Sequence, residues 1–328
     1  MPPRISIVIP VYQNEGSVAE TCRAISAVLD PHADEVTHEF VMVNDGSTDR
    51  SWEIMKELRQ TRPEQFTLVK LTRNFGQIAA LLAGYTHAGG DCVVTISADL
   101  QDPPELIWQM FCAWREGRKL AVGHRTARND GWLSDRVSRS SWWLLRRFAV
   151  PQIPRGGFDY FLMDRELKNM FLTSPEQHIF LQGRVLFFGY EPFLIPYERL
   201  KRTIGKSQFS SMRKLKYFID GFVAYSFLPL RIVTGIGIFL FLASVIYGVC
   251  VFIDVLLHGR GETKGWASLM VVILGLNGAQ LLSMGLIGEY LWRTIEEIRR
   301  RPHFVTDQVL HARRSQGEGR AGEPDPPA

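Results

Sequence analysis

Residues 93–105 read VVTISADLQDPPE, and this stretch decides the fold. Its first half is a short, β-branched apolar run, which is typical of a buried strand in a parallel sheet. Asp99 directly follows the run, and Pro103 and Pro104 then suit the first turn of a helix. Because open α/β sheets bind ligands beyond the carboxyl ends of their strands, we predict that Asp99 lies in a ligand site. A carboxylate there is a ligand for a divalent metal, which in turn holds a diphosphate.

The second acid of this stretch, Asp102, has two interpretations. It stands just before the two prolines, so we favour a structural role for it as the cap of the following helix. Asp99 lies too far upstream to cap that helix, so for Asp99 we favour the metal.

The pattern of an apolar strand, a polar turn and a helix recurs along the first half of the chain. Strands are predicted at residues 5–12, 39–44, 66–71, 93–96 and 120–122. Helices are predicted at residues 17–29, up to 58, up to 86, at 105–114 and at 132–148. This alternation predicts a doubly wound α/β sheet.

Each predicted strand ends in polar side chains. They are Asn14 and Glu15, Asp45, Arg73, Asp99, and Arg125. Since the carboxyl ends of parallel strands share one rim, this row predicts a site for a charged ligand of several parts. The sequence has neither a P-loop nor a G-x-G-x-x-G fingerprint, which argues against a P-loop NTPase and a dinucleotide enzyme.

Two late segments predict membrane insertion. Residues 232–253 and 267–288 carry no charged side chain. Each is about 22 residues, or roughly 33 Å of helix, against a bilayer core of about 30 Å. Basic residues flank the outer ends of this pair: Arg213, Lys214, Lys216 and Arg231 before it, and Arg293, Arg299, Arg300 and Arg301 after it. The positive-inside rule therefore places both chain ends in the cytosol.

The segment before the first span is basic and amphipathic. Residues 214–231 mix basic and large apolar side chains at helical spacing, which predicts a helix lying on the membrane. The loop at residues 198–207 is basic and contains glycine. It is either attracted to anionic lipid or clamps a phosphate at the bilayer surface.

Composition adds two limits. Lys and Arg total 38 against 34 Asp and Glu, so no nucleic-acid partner is implied. The four cysteines are scattered, without the spacing of a zinc site or a disulfide framework, and fit a reducing compartment.

Together these motifs resemble family 2 glycosyltransferases of the GT-A fold that act on polyprenyl phosphates. That group includes the dolichol-phosphate mannosyltransferases and the bacterial undecaprenyl-phosphate glucosyltransferases. The likeness is carried by residues 9–12 with 14–15, 44–49, 73–76, 98–105, 159 with 162–165, 202 with 205 and 207, and 288–291 with 301–302.

The resemblance implies the organisation of the chain. It predicts an α/β GT-A, Rossmann-like catalytic domain at residues 1–206 and a juxtamembrane amphipathic helix at 207–230. Two transmembrane helices then follow within 231–292, at about 232–254 and 267–289. A partly disordered cytosolic tail covers 293–328. The expected location is the bacterial inner membrane, with two spans and with a homo-oligomer as a possible assembly.

The resemblance also implies an inverting transfer from a UDP- or GDP-linked sugar to undecaprenyl or dolichyl phosphate. Catalysis is assigned to Asp99 and Asp159, and the metal, Mg²⁺ or Mn²⁺, to Asp99. Arg202 and Ser207 would hold the acceptor phosphate. The nucleotide sugar would contact Pro10, Tyr12, Glu15, Asp45, Arg73, Gly76, Ala98, Asp99, Gln101 and Arg125.

Asp159 itself has three interpretations. It stands among glycines and aromatic residues, a setting that suits a general base, but it also suits a turn. A phosphate monoester is largely ionised near neutral pH and hardly needs a base, so the third role is to orient groups or balance charge.

The chain departs from the family pattern at one position, and two other functions stay open. The family usually has Asp-x-Asp at the metal site, and here the first Asp is Ser97. A catalytically impaired membrane scaffold that binds a nucleotide sugar would fit that change. A polysaccharide synthase is disfavoured, because one hairpin is too little for a channel and Gln182-Gly183-Arg184 only partly matches the Gln-x-x-Arg-Trp signature.

Overall fold

The structure is a computed structural model that describes residues 2–126, 142–154, 157–173, 176, 179–199, 228–258 and 265–313. The chain divides into two compact units. The first is Met1–Ser174 with Ile179–Phe218 and Pro302–Ala328, and the second is Pro175–His178 with Ile219–Arg301. The domain boundaries given above remain a prediction.

The first unit alternates strands and helices. Strands β1 to β8 are Arg4–Val11, Thr37–Asn44, Phe66–Leu71, Cys92–Thr95, Leu120–Arg125, Phe161–Asp164, Phe193–Tyr197 and Thr306–Leu310. Helices α1 to α6 are Val18–Leu29, Ser51–Thr61, Gln77–His87, Glu105–Arg115, Arg165–Thr173 and Leu181–Phe187. Of the helix predicted at residues 132–148, residues 142–148 are helical, and 132–141 lie outside the described residues.

All eight strands form one sheet in the order β7-β5-β6-β4-β1-β2-β3-β8. The neighbours β4, β1, β2 and β3 run parallel. β6 is antiparallel to both β4 and β5, so β5 runs in the same direction as β4. The carboxyl ends of β1 to β5 therefore lie on one rim, and the predicted α/β architecture is confirmed.

The sheet is buried on both faces. Ile5, Ile7 and Ile9 of β1 pack into a core with the apolar sides of α1, α2 and α4. On the other face, Ala80 and Ala83 of α3 pack against β2 and β3. Strands that are covered on both faces need apolar residues at nearly every position. They therefore appear in the sequence as continuous apolar runs, from which they were predicted.

Three strands were not predicted. β6 has only four residues, all buried, and its motif was interpreted as part of a site rather than as a strand. β7 is an edge strand of five residues with a proline, so it has no clear alternation. Short elements of this kind carry too little periodicity to be recognised from sequence.

The C-terminal segment contains the third of these strands, β8. Instead of only continuing as a tail, the chain returns to the sheet and pairs antiparallel with β3. Lys70 on β3 lies 2.8 Å from Asp307 on β8, and Arg59 donates to the His311 carbonyl at 2.7 Å. These contacts fasten the segment to the first unit.

The second unit consists mainly of two helices, α7 (Leu228–His258) and α8 (Trp266–Arg299). Within α7, Leu230–Cys250 has a mean hydropathy of 2.3. Among the described residues, this is the one helix long and apolar enough to cross a membrane. The second predicted span falls within α8 and stays a prediction.

Candidate active site

The predicted rim residues come together at the carboxyl ends of the strands. The strand order reverses between β1 and β4, which is where open α/β sheets form their ligand crevice. Thr21 on α1 donates to the Ala98 carbonyl at 3.1 Å and so ties the loop after β4 to the elements around β1. Pro10 lies near the end of β1 and is partly buried. Tyr12 is the first residue after this strand.

The loop after β1 is held by the loop after β2. Gln13 has a left-handed φ of 54° and donates its N–H to Ser47 Oγ at 3.1 Å. Glu15 accepts from the N–H of Arg50 at 3.0 Å, directly before α2. Glu15 therefore already has a structural contact, and its predicted role in nucleotide binding remains a prediction.

Asp45 organises the loop after β3. Its two carboxylate oxygens accept the N–H groups of Phe75 at 2.7 Å and Gly76 at 3.0 Å. Burial raises the pKa of Asp45, although these two bonds and the charge of Arg73 oppose the shift. Each carboxylate oxygen can accept a second bond, so the predicted contact with a base is still available. Arg73 is exposed, with its guanidinium 4.1 Å from the centre of the Phe75 ring.

Gly46 allows these two loops to touch. It has a φ of 67°, and a Cβ there would lie 2.5 Å from backbone atoms of Arg73 and Asn74. Gly117 has a φ of 95°, but nothing lies within 4 Å of its Cβ position. The two glycines therefore share the backbone strain and differ in the contact.

We expect Gly46→Ala to lower the free energy of unfolding by about 3 kcal/mol, because strain and overpacking add. Gly117→Ala, the matched control, should cost only about 1 kcal/mol, from strain alone. Denaturant unfolding of both variants measures the difference. Equal losses would mean that the loops do not need this close approach.

The acidic loop after β4 is bridged by Ser97. The Ser97 hydroxyl lies 2.7 Å from Asp99 Oδ1 and 3.1 Å from Asp102 Oδ2. Both carboxylates are buried, at 6% and 3% exposure. Leu100 between them has a left-handed φ of 55°, and such strain concentrates at functional sites.

The structure corrects the interpretation of Asp102. Helix α4 starts at Glu105 with Pro104 at its N-cap and no side-chain cap bond. Asp102 instead accepts a 2.7 Å bond from the hydroxyl of Tyr197, in addition to Ser97. The cap prediction was wrong because the prolines set the helix start without it, and a residue 95 positions away supplies the partner.

Arg125 links this loop to Asp159. It is the last residue of β5, in register with Tyr197 of β7. Its Nε donates to the Tyr197 hydroxyl at 3.1 Å, and its Nη2 donates to Asp159 Oδ2 at 3.1 Å. Gln182 on α6 donates to Asp159 Oδ1 at 3.0 Å. Asp102, Tyr197 and Gln182 are the residues that the sequence did not assign to the site.

The donor atoms around Asp99 fit a hard cation. Among the residues that the structure describes, no group of three or more His, Cys, Asp or Glu side chains could hold a metal. Asp99, Asp102 and Ser97 nevertheless offer oxygen ligands only. Mg²⁺ is commonly held by one or two carboxylates together with substrate phosphates, so this smaller set suits it.

Of the remaining predicted contact residues, Gln101 is described and the acceptor clamp is not. The backbone N–H of Gln101 lies 3.3 Å from Asp99 Oδ1, within the acidic loop. Arg202 and Ser207, the predicted acceptor clamp, lie outside the described residues, and so does the predicted interfacial helix up to residue 227.

The fold and the rim together define an α/β protein of the GT-A type. The mannosyltransferase PcManGT from Pyrobaculum calidifontis, solved in complex with GDP-Man and Mn2+, has a similar fold. Its TM-score is 0.50 at 16% identity, covering 91% of this chain and 88% of that chain. At this identity the likeness concerns the fold alone.

The chain belongs to glycosyl transferase family 2, whose match covers residues 6–182, and it is a glycosyltransferase. Residues 228–293 match the GtrB C-terminal hairpin. The SfII prophage-derived bactoprenol glucosyl transferase of Shigella flexneri is 33% identical, covering 92% of this chain and 97% of that protein. An uncharacterized glycosyltransferase of Synechocystis is 34% identical, with 93% and 95% covered.

Proposed function

We propose that this protein transfers a sugar from a nucleoside-diphosphate sugar to a membrane polyprenyl phosphate. The observation that carries the proposal is the extent of the likeness to the Shigella bactoprenol glucosyl transferase. It runs over 303 residues and so includes both the rim and the hairpin. A membrane scaffold would keep the hairpin as well, so the donor screen described below separates transfer from binding alone.

The donor would lie across the rim, from the loop after β1 to the loop after β4. Pro10, Tyr12, Glu15 and Asp45 line the side proposed for the base. Arg73, Gly76, Ala98, Gln101 and Arg125 contribute the contacts proposed for the diphosphate and the sugar.

Asp99, with Asp102 beside it, would hold Mg²⁺ or Mn²⁺. When bound, the ion supplies Lewis-acid stabilisation of the diphosphate leaving group. Ser97 Oγ lies within hydrogen-bond distance of both carboxylates, and its single hydrogen serves one of them at a time; both acidic residues are buried.

The acceptor supplies its own nucleophile. The second pKa of a phosphate monoester is about 6, so it is largely ionised near neutral pH. Asp159 already accepts hydrogen bonds from Arg125 and Gln182, which favours a role in orientation over proton removal. Direct attack by the phosphate on the anomeric carbon would invert that centre.

Chain connectivity supports two membrane spans. The strands β7 and β8 belong to one sheet, and both hairpin helices lie between them in sequence. A chain that leaves a folded unit and returns to it crosses a membrane an even number of times. With Leu230–Cys250 as one span, the second falls within α8. We place the catalytic unit and both termini in the cytosol of a bacterial inner membrane, following the basic flanking residues.

A donor screen tests this function. The purified protein is incubated with undecaprenyl phosphate, Mg²⁺ or Mn²⁺, and UDP-glucose, UDP-linked amino sugars or GDP-mannose. We expect one donor to give a lipid product heavier by one sugar, detected by mass spectrometry. If nucleotide sugar binds but no donor gives that product, the protein is a binding scaffold and the proposal fails.

Ser97→Asp tests the metal assignment. An added carboxylate beside Asp99 and Asp102 should tighten Mn²⁺ binding or leave it unchanged, while like-charge repulsion lowers the Tm without metal. Titration calorimetry and thermal unfolding measure the two effects, with Ser97→Ala as the uncharged control. If Ser97→Asp weakened Mn²⁺ binding about tenfold, equivalent to 1.4 kcal/mol, the hydroxyl would have another role.

A further inference from the structure

The side chain of Tyr197 lies at the centre of a chain of hydrogen bonds across the rim. Its hydroxyl donates to Asp102 Oδ1 and accepts from Arg125 Nε. The hydroxyl therefore donates to an anion, Asp102, and accepts from a cation, Arg125. Tyr197 is 6% exposed, so these two hydrogen bonds are shielded from solvent.

Arg125 is the group that this arrangement orders. Its side chain is 11% exposed, and Nε and Nη2 are engaged with Tyr197 and Asp159. A guanidinium has five N–H donors. Within the described part of the chain, no acceptor is seen for the other three. A planar, pre-ordered guanidinium is well suited to phosphate oxygens.

The surrounding residues make room for this geometry. A Cβ on Gly123 of β5 would lie 3.0 Å from Tyr197 Cε1, which indicates that glycine allows the ring to reach its place. The ring of Tyr160 packs edge-on against it at 6.1 Å, and the Tyr160 hydroxyl donates to the Pro103 carbonyl of the acidic loop. The ring is thus held independently of its hydroxyl.

We infer that Tyr197 is a positioning residue for sugar transfer, fixing the Arg125 guanidinium so that its remaining N–H groups bind a substrate phosphate. This inference rests on the proposed function and deepens it. The phosphate belongs either to the donor diphosphate or to the acceptor monoester, since both present the same oxygens to Arg125. Tyr197 acts through Arg125 and not by contact with either substrate.

Tyr197→Phe tests the inference, because it removes the hydroxyl and keeps the ring. We expect kcat/KM to fall about 10- to 100-fold, the loss expected when a charge-assisted contact is misplaced. Separate measurements assign the phosphate. A weaker Kd for the nucleoside diphosphate with Mn²⁺ indicates the donor, and a higher KM for a short, soluble prenyl phosphate indicates the acceptor.

Tyr85→Phe is the matched control. The Tyr85 hydroxyl is fully buried and shares a 2.6 Å hydrogen bond with Thr95, outside the Tyr197 network. The Tm of this variant should fall by about as much as that of Tyr197→Phe, while its kcat/KM for both substrates stays unchanged. It therefore reports what the loss of a buried tyrosine hydroxyl does to stability alone.

A double variant adds a readout that a purely structural role would not produce. If Tyr197 acts only through Arg125, adding Tyr197→Phe to an Arg125→Gln protein should lower kcat/KM by no more than about a further twofold. The inference is overturned if Tyr197→Phe keeps both substrate constants within twofold, or if the two lesions multiply. A wild-type protein that transfers no sugar would instead count against the proposed function.

Discussion

Asp99→Ala is expected to reduce sugar transfer at least about 10³-fold while leaving the fold intact. Asp99 is the buried acid at the carboxyl end of β4 and the residue to which the metal is assigned. Loss of a metal ligand removes several kcal/mol of charge stabilisation from the transition state, and each 1.36 kcal/mol is tenfold in rate. Steady-state kinetics at saturating donor and acceptor measure the loss, and Mn²⁺ calorimetry should show weaker binding.

The matched control for Asp99→Ala lies at the other end of the same strand. Asp91 accepts the Arg4 N–H at 2.8 Å and pairs with Arg165 at 3.0 Å, both at the amino-terminal edge of the sheet. Asp91→Ala should lower the Tm and keep most of the activity. An Asp99→Ala protein with more than about a tenth of wild-type activity would show that the metal assignment is wrong.

Removal of the hairpin should impair transfer to a long-chain acceptor much more than transfer to a short one. Because β8 completes the sheet, deleting everything from Arg231 onward would also damage the catalytic unit. Residues 228–301 should instead be replaced by a flexible linker, so that β8 is kept. We expect transfer to undecaprenyl phosphate to fall about 10²-fold, since the membrane no longer concentrates enzyme and acceptor together. Transfer to a short, soluble prenyl phosphate should change by less than about threefold, because nothing in that acceptor depends on co-localisation.

Arg202→Ala provides the contrasting lesion in the full-length chain. Removal of a charge-assisted contact to the acceptor phosphate should cost about 1.5–3 kcal/mol for long and short acceptors alike. Circular dichroism checks that both proteins are folded. If Arg202→Ala impaired only the long-chain acceptor, Arg202 would be a membrane-surface anchor, and the phosphate-clamp hypothesis would fail.

Much of this protein follows from its sequence because the signals are local. The strands at residues 5–12, 39–44, 66–71 and 93–96 are buried on both faces and so appear as short apolar runs. Each is followed within a few residues by its polar rim group and its helix. Strand, turn and helix therefore lie within one stretch of chain, and a parallel sheet necessarily brings their carboxyl ends to the same rim.

The tertiary structure decided the contacts between residues far apart in sequence. Asp102 looked like a helix cap because its immediate neighbours are prolines, whereas its partner Tyr197 comes from a strand too short and too irregular to recognise. The pairing of β5 with β7 places Tyr197 beside Arg125, 72 positions earlier. Likewise, β8 pairs with β3 although the hairpin lies between the two strands in sequence. Local periodicity determined the rim and its acids, but strand pairing over long separations determined which side chains hold them in place.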